Sequence, residues 1–168
     1  MIMKELIGAL EDIPKKKIEE LEFLLKSYSK VVIIGNGGSN SIASHISQDY
    51  TKKLGKKSFS FSDPSRLTCY INDYGIENAF SQFLKEFSDS DTLVILISSS
   101  GKSDNIVGCV NYCLESQTAF IMLTGFDEYN SCRSLAKKSN LCKLEYWVDS
   151  TDYGVVECAH QAFLHSAV

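Results

Sequence analysis

Short runs of apolar residues, rich in β-branched side chains, constrain this chain more than any other feature. They lie at Val31–Ile34, Thr92–Ile97, Ala119–Leu123 and Leu141–Val148, with a weaker run at Lys57–Phe61. Each is too short for a core helix. Most are unbroken rather than alternating, which suits strands covered on both faces, as in a parallel sheet. Helical patterns separate them: Lys15–Tyr28, Asn40–Lys53, Glu77–Phe87, Asp104–Glu115, Ser131–Lys137 and Val155 to the end. Pro14 opens the first of these, where a missing N–H costs little. Strand and helix in alternation predict an α/β fold: about five parallel strands with helices on both faces. The 168 residues are enough for one core. The expected organisation is a single domain over 1–168, with a helical segment at 1–29 and an α/β sandwich at 30–168.

Charge and cysteine usage narrow the function classes. Lys+Arg number 17 and Asp+Glu 21, a net charge of −4. Such a chain has no overall charge with which to grip nucleic acid or an anionic membrane, so any phosphate must be held locally. No apolar run approaches the roughly 20 residues of a membrane span. The N-terminus lacks the basic and apolar regions of a signal peptide. The six cysteines never form C-x-x-C. Reduced thiols and a cytoplasmic location follow as expectations. Cys109 and Cys113, four apart on an expected helix, read as packing residues.

In a parallel sheet, ligands bind beyond the carboxyl ends of the strands. Two loops there carry chemistry. Gly35-Asn36-Gly37-Gly38-Ser39-Asn40 follows the first run. It has Asn40 where a dinucleotide fingerprint needs its third glycine, so that motif is incomplete. What remains is a backbone-lined turn with polar Asn36 and Ser39 at a helix start. Ser98-Ser99-Ser100-Gly101-Lys102-Ser103 follows the Thr92–Ile97 run. It has Leu96 where a Walker A loop needs its first glycine. A hydroxyl-rich loop feeding a helix N-terminus favours an anion, phosphate above all. Helix capping alone needs one such side chain, not four.

Taken in order, Gly35-Asn36-Gly37-Gly38-Ser39, His45, Asp63-Pro64-Ser65, Asn72-Asp73-Tyr74-Gly75, the serine loop, Leu123-Thr124-Gly125 and His165 resemble the sugar isomerase (SIS) family. Within it the likeness is greatest to the phosphoheptose isomerases, and it runs from about Lys30 to His165. The resemblance implies a three-layer α/β/α sandwich, Rossmann-like, on a five-stranded parallel sheet. It implies an isomerase that interconverts sedoheptulose 7-phosphate and D-glycero-heptose 7-phosphate through an enediol, for surface-polysaccharide heptose precursors. It implies that Ser98, Ser100 and Ser103 hold the substrate phosphate, with Ser99 at a variable position. Asn36, Gly37, Gly38 and Ser39 line the pocket, and Asn72 and Asp73 form a loop over the sugar. A second function class shares the fold and the phosphate loop: a non-catalytic phosphosugar-binding module, or an adaptor of the replication-initiator-binding type.

Isomerisation needs a base near the carbon acid and an acid or cation near the carbonyl oxygen. His45 and Asp49 are i, i+4 and share a helix face. By resemblance, His45, Asp49, Glu157 and His165 occupy family zinc-ligand positions, and Asp49 and His165 the catalytic ones. Asp49 and Glu157 replace a family glutamate and glutamine. Two imidazoles and two carboxylates form a credible Zn²⁺ set, one ion per chain. Along one regular helix, however, Glu157 and His165 lie roughly 12 Å and 80° apart. Either the last helix starts after Glu157, or Glu157 lies outside the ligand set; in the latter case it remains a substrate-facing residue. His160 points about 140° away from His165 and reads as packing. Lys53 stands where the family often has arginine, and it reads equally as a residue meeting anionic substrate or as surface charge.

The resemblance also implies a homotetramer with sites between subunits. An independent reason is apolar width. Leu21, Phe23, Leu24, Leu25 and Tyr28 on the first helix, and Val155, Val156, Ala159, Ala162, Phe163 and Leu164 on the last, exceed what one sheet face needs.

Overall fold

Hydrophobic burial on both sides of a parallel sheet organises the computed structural model, which describes residues 2–168; Met1, first residue of the expected 1–29 segment, lies outside them. In chain order the elements are α1 (Ile2–Glu11), α2 (Lys15–Ser27), β1 (Lys30–Gly35), α3 (Gly37–Leu54), β2 (Lys57–Ser60), α4 (Pro64–Tyr74) and α5 (Ile76–Phe87). Then follow β3 (Thr92–Ser98), α6 (Asp104–Glu115), β4 (Phe120–Thr124), α7 (Ser131–Ala136), β5 (Cys142–Trp147) and α8 (Tyr153–His165). The strands are all parallel, in the order β2-β1-β3-β4-β5. This is the five-stranded three-layer fold expected.

Alternation along the central strands divides the core. Val31 and Ile33 of β1, with Leu93, Ile95 and Ile97 of β3, face α2, α3 and α8. Val32, Ile34, Val94 and Leu96 face α5, α6 and α7. β1 and β3 therefore bury both sets of side chains, the reason their sequences are unbroken apolar runs. The Tyr50 hydroxyl donates to the Leu164 carbonyl at 3.0 Å and pins α3 to α8 inside the first layer. Cys109 and Cys113 are fully buried packing residues, and burial pushes the Cys113 thiol up to about 12. All six cysteines are free.

Three features differ from the sequence reading. Residues 72–75 are not a free loop: Asn72, Asp73 and Tyr74 form the last turn of α4, and Gly75 joins it to α5. The start signal was present, since Asp63 accepts from the Arg66 N–H at 2.8 Å with Pro64 at the first helical position. But α4 has no fully buried residue, so it lacks the apolar periodicity that marks a helix. Second, α3 begins at Gly37 rather than Asn40. Third, the apolar set of the last helix is no exposed surface: Val155, Val156, Ala159, Phe163 and Leu164 are buried, and the last four share one core with Leu21, Leu24 and Leu25 of α2. The apolar surface lies elsewhere, at Ile2, Met3, Ile7 and Leu10 of α1 and at Phe23, which is 70% exposed. No helix of the described residues is long and apolar enough to cross a membrane.

His160 is a core histidine. It is fully buried, and its Nε2 lies 3.0 Å from the Thr124 carbonyl. Burial lowers its pKa from 6.5 to about 4, so the folded ring is neutral. The unfolded chain then binds more protons below about pH 6.5, and stability that is complete above that pH falls as pH drops toward 4. In urea melts, the wild type is expected to lose up to about 1.4 kcal/mol per pH unit more than His160→Gln across this window. Parallel pH profiles for the two proteins would refute the assignment.

Candidate active site

Strand order creates the site. β1 feeds α3 and then β2 on one side, whereas β3 feeds α6 and then β4 on the other. The two neighbouring strands thus diverge at their carboxyl ends, where open α/β sheets bind ligands. The diverging loops are tied together by one pair of amides. Asn36, just before α3, and Asn105, in the first turn of α6, exchange two hydrogen bonds of 2.9 Å. Asn36 consequently makes no helix cap with its side chain. A cavity of about 290 Å³ opens beside the pair, lined also by Ile76, Glu77 and Asp104.

The serine loop is folded tightly against the sheet. The Gly101 N–H donates to the Ser98 carbonyl at 3.0 Å and to the Ser98 hydroxyl at 3.1 Å. The Gly125 N–H donates to the Ser99 carbonyl, and the Cys132 N–H to the Gly101 carbonyl, each at 2.9 Å. Gly101 has φ +62°, and the buried Asn130 side chain fills the space a Cβ would need. Both facts require glycine. Ser103 precedes α6, and its carbonyl accepts the first helical N–H groups. Its hydroxyl makes no cap bond. The Ser99 hydroxyl is buried without a partner. Lys102 reaches Asp127 at 3.1 Å. The loop therefore offers hydroxyls and a helix N-terminus to an anion.

The acid–base group sits farther along α3. His45, Asp49 and Lys53 recur every four residues on one face of α3, and His165 ends α8 beside them. The Asp49 Oδ2 atom is 3.8 Å from His45 Nε2, 3.5 Å from His165 Nδ1 and 3.4 Å from Lys53 Nζ. The two imidazole rings meet edge-on at 5.1 Å. Only 13% of the Asp49 side chain is exposed, against 51% for His45 and 32% for His165. One ligand atom from each of His45, Asp49 and His165 lies within 4.8 Å of the others. A groove of about 500 Å³ runs along α3 from Gly37 past Ser41 and Ser44 to His45 and Gln48, with Ser62 on its other wall.

Glu157 is not in that group. α8 is continuous from Tyr153 to His165, so Glu157 lies two turns before His165 on one regular helix. Its carboxylate packs on Gly38, in the volume a Cβ there would occupy. Partial burial holds its carboxyl above the ordinary range. Glu157 therefore faces the glycine turn at the start of α3. Asn72 and Asp73 are exposed at the end of α4, linked by a 3.0 Å bond from the Asn72 amide. Sequence reasoning missed Asn105 and Asn130. A single polar residue on the inner side of an apolar helix, and an asparagine just before α7, were the available signals.

No family model matches the chain. The phosphoheptose isomerase of Fusobacterium nucleatum is 30% identical over 156 residues, 90% of this chain and 77% of that relative. That of Buchnera aphidicola is 31% identical over 162 residues, 89% and 79% of the two chains. Among solved structures, the phosphoheptose isomerase of Neisseria gonorrhoeae matches with a TM-score of 0.82 at 26% identity, over 98% of this chain and 91% of that one. The Francisella tularensis structure shares the fold, with a TM-score of 0.82 at 20% identity. Identity at this level across nearly the whole chain, on the same sheet and helices, means that the chain belongs to the phosphoheptose isomerase family.

Proposed function

We propose that this isomerase interconverts sedoheptulose 7-phosphate and D-glycero-heptose 7-phosphate. One observation carries the assignment: two imidazole nitrogens converge on the largely buried Asp49 carboxylate, and His45 also lines a polar groove that runs back along α3 to Gly37, next to the Asn36 amide bonded to Asn105 of α6. The groove suits the length of the substrate. From Gly37 to His45, α3 rises about 12 Å. An extended seven-carbon phosphate spans about 10 Å from C1 to phosphorus, at about 1.2 Å per bond. In this reading Ser98, Ser99, Ser100 and Ser103 hold the phosphate, and the α6 N-terminus completes the anion site. Asn36, Gly37, Gly38, Ser39 and Glu157 face the sugar, joined by Asn72 and Asp73. Asp49 takes the proton from C1 of the ketose and returns it to C2 of the enediol. His165 moves the proton between the two oxygens.

The donor set at the trio fits a divalent metal, Zn²⁺ above all. Three protein ligands within reach of one another, two of them imidazoles, leave a fourth position open for substrate. Bound there, the ion supplies Lewis-acid polarisation of the sugar oxygens. His45, Asp49 and His165 hold it, while Glu157 stays at the glycine turn. We read the chain as one domain in a cytoplasmic homotetramer, in which a neighbouring subunit closes the open groove. The exposed apolar stripe of α1, with Phe23, supports association.

Three outcomes test this reading. Ser100→Ala and Ser103→Ala should each weaken sedoheptulose 7-phosphate binding by about 1.5–3 kcal/mol in calorimetry, the worth of a hydrogen bond to a charged group. Unphosphorylated sedoheptulose binding as tightly as the ester would refute the phosphate site. Asp49→Asn should abolish turnover while the ester still binds, because the amide keeps the shape and loses the base; near-native turnover would remove Asp49 from the chemistry. Light scattering at micromolar concentration should show four chains per particle, and an active single chain would exclude a site shared between subunits.

A further inference from the structure

Lys53, with a side chain 57% exposed, meets the same carboxylate as the three-residue group that fits a metal. Its ammonium lies 3.4 Å from the same Asp49 oxygen that the two histidines approach, closer than either of them. It sits one turn after Asp49, as Asp49 sits one turn after His45, so the helix places all three in a row. Of the other lysines of this region, Lys56 donates to the Tyr28 carbonyl and Lys30 pairs with Asp89. Counting the imidazoles as neutral, the form that ligates a metal, Asp49 and Lys53 together carry no net charge. A divalent ion would raise the local charge to +2 with Lys53 present, and to +1 without it.

We propose that Lys53 tunes the site by charge: it is the counter-ion of Asp49 before a metal arrives, and it weakens metal binding in exchange for a more positive site facing the sugar. This rests on the metal reading of His45, Asp49 and His165. The ammonium competes for the Asp49 carboxylate and repels the incoming cation, and both effects oppose binding. The same surplus of positive charge favours the negative charge that develops on the sugar oxygens during enolisation. A lysine that merely neutralises the carbonyl end of α3 would do neither. Lys53 is thus a positioning residue that acts on the reaction through Asp49 and through the local field.

The test is Zn²⁺ affinity of the full chain, read by competition with a chromophoric chelator at neutral pH and low salt. Lys53→Met should bind Zn²⁺ about three- to tenfold more tightly than the wild type, while its turnover of sedoheptulose 7-phosphate at saturating Zn²⁺ falls. Lys53→Arg, which keeps the charge, should match the wild type in affinity. The gap between Lys53→Met and wild type should shrink at about 0.5 M salt, as a screened charge effect must. Equal or weaker Zn²⁺ binding by Lys53→Met overturns the inference and leaves the metal site standing. If the wild-type chain binds no Zn²⁺ at all, the metal reading fails and this inference falls with it.

Discussion

Because β1 and β3 lie side by side with both faces buried, and then hand their chains to opposite layers, the polar residues that follow them are forced into one crevice. Everything in the site depends on that divergence. Neither strand has a wet face on which to place a polar side chain, so chemistry is confined to the loops at their ends. The reciprocal Asn36–Asn105 amide pair then fixes the two loops relative to each other. Each amide satisfies the other's donor and acceptor, so this largely buried contact leaves little unpaired. A change at either asparagine would leave the other with an unsatisfied group, the costly side of a hydrogen bond.

From that crevice α3 acts as a straight strut. Its first turn carries Gly38, which admits the Glu157 carboxylate, and its third to fifth turns carry His45, Asp49 and Lys53. A continuous helix fixes both the distance and the angle between these groups. α8 is held against it by the Tyr50–Leu164 bond, which brings His165 to Asp49 and Glu157 to Gly38. One helix pair thus positions two carboxylates at two points along α3. Their environments differ. Asp49 is met by three nitrogens, whereas Glu157 is partly desolvated beside a glycine. The two carboxylates thus differ in surroundings: one is met by nitrogens, the other lies against the glycine turn.

Much of this was legible in the chain. The unbroken apolar runs announced a parallel sheet, and the i, i+4 spacing of His45 and Asp49 placed them on one helix face. The serine loop was recognisable because four hydroxyls before a helix exceed what capping needs. Other features left no local trace. α4 buries no residue completely, so periodicity was silent there despite the Asp63-Pro64 start. The apolar set of α8 looked like surplus surface because its covers, α1 and α3, lie about a hundred residues or more earlier in the chain. The choice left open for Glu157 turned on whether α8 was continuous through it, and a regular helix answers that by rotation alone.

What the sequence determined by itself is periodic or local: strand and helix types, the burial of β1 and β3, the placing of a hydroxyl-rich loop before a helix, and the pairing of His45 with Asp49. These follow from side-chain spacing on an element of known pitch, which needs no knowledge of distant residues. Tertiary structure alone decided which residues meet across elements. Only the packing of α8 on α3 brings His165 to the Asp49 carboxylate and sets Glu157 against Gly38. Only the strand order joins Asn36 to Asn105. Such contacts link positions 69 to 119 residues apart, and no local pattern encodes them; they are chosen by which apolar faces must cover one another in a shared core.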